Sequence, residues 1–447
     1  MKRDPIVLGR DYVLSGEDIG KTRPNANVLI VGTTGCGKSV SVILPTMARL
    51  ENSNPILNYA KPRDACAMAR YLEHKGYKVD ILDIAHPDRS TISFDPLLSV
   101  ESYEDIDSLS AFIVDGVITH TTDDYWQAKS KSLLAALTAS VCLDDVKVKK
   151  KKSMLEVLRL FDETLPVDNG LAVVSRLHMY FKRIERDNPG CYAVREYNAW
   201  ESLPFKTASC VRDTLASALN MFFPESIRKM MQQKPQFDVK KFCSGKEAVI
   251  IITDAMEKNQ NYYANLFYRD TERQLLRYAA ACPNGELPRE VRYFFDDFAC
   301  TAPIEGFAND ISLFRAAGIS AVMLLQSERQ LEAVYKDDAA VIRQNCAVYA
   351  YFPGGFDDRS CEIVSRRMGL PYDEILYAPL GKVFIMQSGQ KPVHIYRYDT
   401  LESEEYREYL EISGNRIKKK RNIRAPMDKT VTKEKSSKCL EPEVTIA

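Results

Sequence analysis

A mostly apolar run, Asn27-Val28-Leu29-Ile30-Val31, leads directly into Gly32-Thr33-Thr34-Gly35-Cys36-Gly37-Lys38-Ser39, which spells G-x-x-x-x-G-K-[ST]. A buried strand that turns through such a loop into a helix has one well-known physical use. The glycines let consecutive backbone N–H groups turn inward around phosphates, Lys38 reaches the β and γ oxygens, and the Ser39 hydroxyl is placed to ligate Mg²⁺. The helix expected from Ser39 to Leu50 points its positive end at the same anion. The spacing therefore predicts a nucleoside triphosphate site on Gly32, Thr33, Thr34, Gly35, Cys36, Gly37, Lys38, Ser39 and Val40, with ATP and Mg²⁺ as the cofactors.

The rhythm around this loop is strand–helix–strand. Strands are expected at Pro55 to Asn58 and Lys78 to Leu82 with a helix at Arg63 to Lys75 between them, so the sheet should be mainly parallel. From about Val100 to Gln232 strand signals vanish. Apolar residues there recur at helical spacing, as in Ala128, Leu133, Leu134, Leu137 and Val141, and the segment reads as an all-helical insertion. Strands return at Ala248 to Thr253, Val291 to Phe295, Ala321 to Leu325, Ala347 to Phe352 and Lys382 to Met386. The reading is an α/β chain in four parts: an N-terminal segment 1–26, a discontinuous nucleotide-binding domain 27–99 and 233–400, an all-α insertion domain 100–232, and a charged tail 401–447. In the tail, Ser413 to Lys438 holds ten Lys or Arg against two acidic residues, a composition expected to stay disordered.

Composition excludes several classes. Lys plus Arg and Asp plus Glu both total 61, so no global field draws the protein onto nucleic acid or an anionic membrane. Any DNA contact must come from local patches, of which Lys147, Lys149, Lys150, Lys151 and Lys152 form one and Arg416, Lys418, Lys419, Lys420, Arg421 and Arg424 another. Each is open to a second reading as a solvated loop or tail. The eleven cysteines are scattered singly without a C-x-x-C pair, the usage of reduced, mostly buried cytosolic thiols. Cys36 is the one within reach of oxidants if the loop around it stays open, or else a small residue that fits the turn. The apolar runs are too short to span a bilayer, so a cytoplasmic chain is expected.

A second constellation, Val291-Arg292-Tyr293-Phe294-Phe295-Asp296-Asp297, is a hydrophobic strand ending in two acids. Beside a phosphate loop this is the form of a Walker B element: Asp296 would hold Mg²⁺ through water, and Asp297 would polarise the attacking water. Capping of a following helix is the plainer alternative. Gln326, at the carboxyl end of Ala321 to Leu325, stands on the side where open α/β sheets bind ligands and is read either as a γ-phosphate sensor or as a turn cap. Arg315, just before Gly318 at a helix end, is read either as a finger toward a neighbouring subunit's nucleotide or as a partner of the helix dipole.

The order of these pieces resembles the TraG/TraD-type coupling proteins of conjugative type IV secretion. The resemblance rests on the Gly32 to Ser39 loop, Ser93-Phe94-Asp95-Pro96-Leu97, Tyr125-Trp126 and Phe295-Asp296-Asp297-Phe298-Ala299. Phe314 to Ile319, Leu325 to Leu331, Ile342 to Cys346 and Ile363-Val364-Ser365 continue it, over roughly Asn27 to Asp399. It implies a RecA-like P-loop NTPase with an inserted helical domain, assembling as a homo-hexamer and using ATP to deliver relaxase-bound DNA, single- or double-stranded, to the secretion channel. By the same resemblance the Walker B acid is Asp296, the catalytic acid Asp297, the sensor Gln326, and the insert meets DNA or relaxosome proteins. A non-hydrolysing nucleotide-gated adaptor and a translocase of the FtsK or HerA kind are the alternatives.

Three departures qualify that picture. The family usually has glutamate where Asp297 stands, one methylene shorter, so slow hydrolysis is expected. Lys61 lies in Asn58-Tyr59-Ala60-Lys61-Pro62-Arg63 without its usual acidic neighbours and receives no role. Only about 23 mostly polar residues precede the first core strand, so attachment at the inner face of the membrane is expected to run through a partner or anchoring subunit.

Overall fold

The structure, a computed structural model, describes residues 3–15, 25–116, 124–143, 151–164, 166–168, 173–253, 261–298, 303–355 and 357–414. Its centre is a nine-stranded sheet in the order β13-β12-β11-β3-β10-β9-β4-β8-β5. The strands are β3 (Val28–Gly32), β4 (Ser53–Tyr59), β5 (Lys78–Asp83), β8 (Glu247–Ile252), β9 (Glu290–Phe295), β10 (Ile319–Leu325), β11 (Val348–Phe352), β12 (Lys382–Gln387) and β13 (Val393–Tyr396). From β11 to β5 every pairing is parallel, and β12 and β13 close the sheet antiparallel. The central strands β3, β10 and β11 are mostly apolar and buried along their whole length because both faces are covered.

Period two divides each strand between the two faces. Leu29 and Val31 of β3, with Val291, Tyr293 and Phe295 of β9, join one core; Val28 and Ile30, with Phe294, join the other. The second core holds the phosphate-loop helix Lys38–Ala48 and the helix Pro62–His74. It also takes in the N-terminal segment, whose mostly polar composition conceals a buried hairpin. Ile6–Gly9 (β1) and Tyr12–Leu14 (β2) form a hairpin, and Ile6, Val7 and Leu8 are fully buried. Asp4 receives the backbone N–H groups of Glu51, Asn52 and Ser53, which fastens this segment to the turn before β4.

Between β5 and β8 the chain runs through the helices Tyr103–Asp115, Asp124–Cys142, Met154–Asp162, Arg176–Asp187, Tyr192–Glu201, Phe205–Phe222, Glu225–Gln233 and Val239–Ser244. The expectation of an all-α insert needs correcting. Pro166–Asp168 (β6) and Val173–Ser175 (β7) pair antiparallel inside it, too short a ribbon to leave a period-two signal. Nor does the insert have a core of its own: Leu134, Phe181, Tyr197 and Phe222 belong to the same cluster as Leu29 and Phe295. Two polar clusters secure the junction. Asp95 accepts from the N–H groups of Leu97 and Met154 and from Ser153, while Asp105 on the insert's first helix pairs with Arg273 and Arg277 of the helix Tyr262–Ala281.

The charged tail is also shorter than expected. Glu404–Ser413 is a helix with Ser403 as its N-cap, and Tyr409 packs edge-on against Tyr71 of the helix Pro62–His74. Its acidic composition hid a one-sided apolar stripe. The basic run Arg416 to Arg424 lies outside the described residues.

Candidate nucleotide site

The carboxyl ends of β3, β10 and β9 are neighbours in the sheet, and each delivers one part of the site. After β3 the chain turns on Gly35 (φ 86°) and Gly37 (φ 93°), left-handed conformations that glycine adopts without a Cβ clash. The turn leaves the mouth of the loop open, since a Cβ on Gly35 would meet nothing within 4 Å. Beneath it, Gly32 is packed so closely that a Cβ would lie 2.5 Å from the Phe352 carbonyl. The Lys38 side chain is buried and folded along the loop, donating to the carbonyls of Gly32 and Thr33.

Ser39 Oγ lies 2.7 Å from Asp296 Oδ1, across 257 residues of sequence. The two groups expected to share Mg²⁺ are thus already together. Burial raises the Asp296 carboxyl above its ordinary range and the Asp297 charge adds to this; the Ser39 hydrogen bond and the Lys38 and Lys61 charges oppose it. A divalent cation would offset that cost, because it favours the ionised carboxylate far more than a lysine several ångströms away does. Among the described residues the Thr33 hydroxyl is buried without a hydrogen-bond partner, a further polar group awaiting one. Open glycine cradle, buried ammonium and paired hydroxyl–carboxylate together fit a Mg²⁺-bound nucleoside triphosphate.

Asp297 takes φ 64°, one of two non-glycine residues with positive φ among those described. Asp tolerates this region better than most residues, and such strain tends to collect at functional turns. Gln326, leaving β10, donates from Nε2 to Asp297 Oδ1 at 3.1 Å. Arg315 stands apart. It lies on the last turn of the helix Phe307–Ala317, ahead of β10, at the opposite end of the strands from the phosphate loop. It is exposed, and within one chain the fold does not bring it to the site.

Several positions near the site were not legible in the sequence. Lys61, left without a role, follows β4 and acts electrostatically on Asp296. Gly354 and Gly355, after β11, lie against the loop tip: a Cβ on Gly355 would come within 2.7 Å of Thr33 Cγ2, and one on Gly354 within 3.0 Å of Cys36 Cβ. Arg397, just past β13, donates from Nη1 to the Cys36 carbonyl at 3.1 Å, and the Thr400 hydroxyl donates to the Val40 carbonyl at 2.8 Å. Only the glycine pair itself hints at Gly354 and Gly355, and of the remaining residues Arg397 and Thr400 are the hardest to foresee. Nothing local marks these two, because their partners lie about 360 residues upstream.

Two open readings narrow here. Of the two for Cys36, burial at 3% exposure under the loop favours the small residue that fits the turn over a thiol presented to oxidants. Lys152, counted in a basic cluster, donates to the Val100 carbonyl at 2.6 Å and so helps to hold the insert's entry. Lys151 is exposed, and Lys147, Lys149 and Lys150 lie outside the described residues.

The type IV secretory system conjugative DNA transfer family model matches residues 3–370. Among solved structures, the unbound bacterial conjugative coupling protein TrwBdeltaN70 superposes with a TM-score of 0.58 at 16% identity, covering 84% of this chain and 86% of that one. The plasmid coupling protein TrwB in complex with ADP and Mg²⁺ gives 0.60 at 15% identity over 84% and 86%. VirB4 of Thermoanaerobacter pseudethanolicus gives 0.51 at 16% identity over 88% and 96%. At such identities the likeness is one of fold. Compared by sequence, no curated protein matches the chain.

Proposed function

This chain belongs to the type IV secretory system conjugative DNA transfer family, and from that premise we propose that it is an ATP-hydrolysing coupling protein that delivers relaxase-bound DNA to a conjugation channel. The observation that carries the reading is the contact of Ser39 with Asp296, which joins phosphate loop and strand-end acid in one metal-binding pair. That TrwB, of the same fold, has been solved with ADP and Mg²⁺ supports the choice of cofactor. ATP with Mg²⁺ supplies a phosphoanhydride whose cleavage can drive movement of cargo.

The chain's own residues divide the work. Lys38, freed from the Gly32 and Thr33 carbonyls, would place its ammonium on the terminal phosphates, and Ser39 with Asp296 would hold Mg²⁺. Asp297 would orient and deprotonate the attacking water, with the Gln326 amide fixing the carboxylate through the bond it already makes. Arg315, remote from its own loop, would serve a neighbouring copy's nucleotide, a role in keeping with an active homo-hexamer. The proposal also places DNA or relaxosome proteins on the insert and a channel component or anchoring subunit at the membrane. No helix among the described residues is long and apolar enough to cross a bilayer.

The test is ATP hydrolysis by the purified protein at low salt, alone and with single- or double-stranded DNA, beside Lys38→Ala and Asp297→Ala. DNA-stimulated turnover lost in both variants is expected. Tight ATP binding without turnover under every condition would replace the motor with a nucleotide-gated adaptor.

A further inference from the structure

The strand order gives the site a direction. The catalytic candidates Asp296, Asp297 and Gln326 come from β9 and β10, on one side of β3. On the other side, β11 leads to Gly354 and Gly355, and β13 leads to Arg397. A nucleotide with its terminal phosphate at Asp297 and its β-phosphate in the loop has its nucleoside end directed away from the acids, toward the β11–β13 flank. The residue of that flank in contact with the loop and carrying unspent hydrogen-bonding capacity is Arg397.

Its placement is specific. The Arg397 backbone N–H is anchored on the Gly381 carbonyl at 2.8 Å. The guanidinium crosses to the Cys36 carbonyl, and Nη1 lies 2.8 Å from where a Cβ on Gly37 would stand. Among the described residues this is the one hydrogen bond the guanidinium makes out of the five it can donate, and it has no carboxylate partner. On a part-exposed side chain the other donors are open to solvent or to a ligand. Thr400, three residues on, secures Val40 at the start of the same helix, so backbone support of the loop does not depend on Arg397 alone. The half-buried guanidinium presents both a cationic face suited to stacking on a base and donors suited to ribose oxygens.

We infer that Arg397 holds the nucleoside end of the bound nucleotide, as a binding residue supplied by the C-terminal hairpin to the phosphate loop of the same chain. The inference rests on the reading of Gly32 to Ser39 as a nucleotide site. Its test compares two ligands that share the phosphate chain and differ in the nucleoside: ADP and inorganic tripolyphosphate, each with Mg²⁺, by calorimetric titration of the full chain.

Arg397→Ala should weaken ADP about tenfold, the worth of one charge-assisted hydrogen bond, and leave tripolyphosphate within about twofold of wild type. Arg397→Gln keeps a donor for the Cys36 carbonyl, guards against a misfolded loop, and should show the same selective loss. Lys38→Ala should weaken both ligands. Equal losses of the two ligands in both Arg397 variants would make the residue a loop support and overturn the inference, as would ADP affinity unchanged in both. Wild-type protein that binds neither ligand would remove the nucleotide site and the inference with it, an outcome distinct from a failure confined to Arg397.

Discussion

Strand β9 carries ionisable residues at both ends, and the two ends are built on opposite principles. At its start, Glu290 and Arg292 are 1% and 0% exposed and lie 2.7 Å apart. Glu290 also accepts from Ser53 at 2.7 Å and Ser320 at 3.0 Å, and Arg292 donates to the Asp4 carbonyl at 2.9 Å. Hydrogen-bonding capacity there is spent inside the protein, as a fully desolvated ion pair requires. At its end, among the described residues, Asp296 has a single side-chain partner in Ser39, and Asp297 sits in a left-handed turn with one in Gln326. Capacity there is held back for something that binds. Satisfied charges lock a sheet together, whereas under-satisfied ones mark where a ligand completes the structure.

The contrast is easiest to break at the satisfied end. Glu290→Ala leaves Arg292 buried without its partner and should cost about 3–5 kcal/mol in chemical denaturation, whereas Glu290→Gln combined with Arg292→Met should recover part of it. A loss below about 1 kcal/mol would mean that water reaches the pair.

At the other end the same kind of change should spare folding and remove chemistry. Lys38→Ala is expected to lower hydrolysis by about 10²–10³-fold, equivalent to about 2.7–4 kcal/mol of transition-state stabilisation, with an unfolding midpoint close to wild type. Asp297→Ala should lower kcat about a hundredfold while calorimetric ADP affinity stays near wild type, because the carboxylate acts on water rather than on the phosphates. Parallel losses of affinity and turnover in Asp297→Ala would assign it to binding instead.

An intermediate case sharpens the comparison. Asp270, at the junction with the insert, is buried; desolvation lifts its carboxyl from 3.8 to about 6, against hydrogen bonds from Ser99 and Gln274 and the nearby Arg269 and Arg273 charges. Its folded-state pKa exceeds its unfolded one, so stability from this group is greatest below about pH 4, falls as pH rises through about 6, and is flat above. Asp270→Asn should therefore gain on wild type across that window, by about 1–2 kcal/mol at pH 7, in urea denaturation followed at several pH values. A difference independent of pH would show that the carboxylate is as well satisfied as Glu290.

Local features account for what was readable beforehand. The phosphate loop, the apolar strands and the acids at the end of Val291 to Phe295 are each written within a dozen residues, and such spacing is set by backbone geometry alone. Elements with weak local patterns were misread. The ribbon Pro166–Asp168 with Val173–Ser175 is too short to alternate, and the helix Glu404–Ser413 hides a packing face among acidic residues. The hairpin Ile6–Gly9 with Tyr12–Leu14 has an apolar run only a few residues long, too short to stand out in the sequence.

By itself, then, the sequence determined that a strand, a phosphate loop and a helix stand in line, that the sheet is mainly parallel, and that a pair of acids ends one of its strands. Tertiary structure alone decided that β10 lies between β3 and β9, which brings Asp296 to Ser39 and Gln326 to Asp297. It alone set Arg315 at the far end of the seven-residue strand β10, about 20 Å along the strand from the loop. It alone laid Arg397 and Thr400 against the phosphate-loop helix. The reason is physical. Period and propensity are properties of neighbouring residues, whereas strand order is chosen by how distant apolar faces share one core, a choice that no short stretch of chain records.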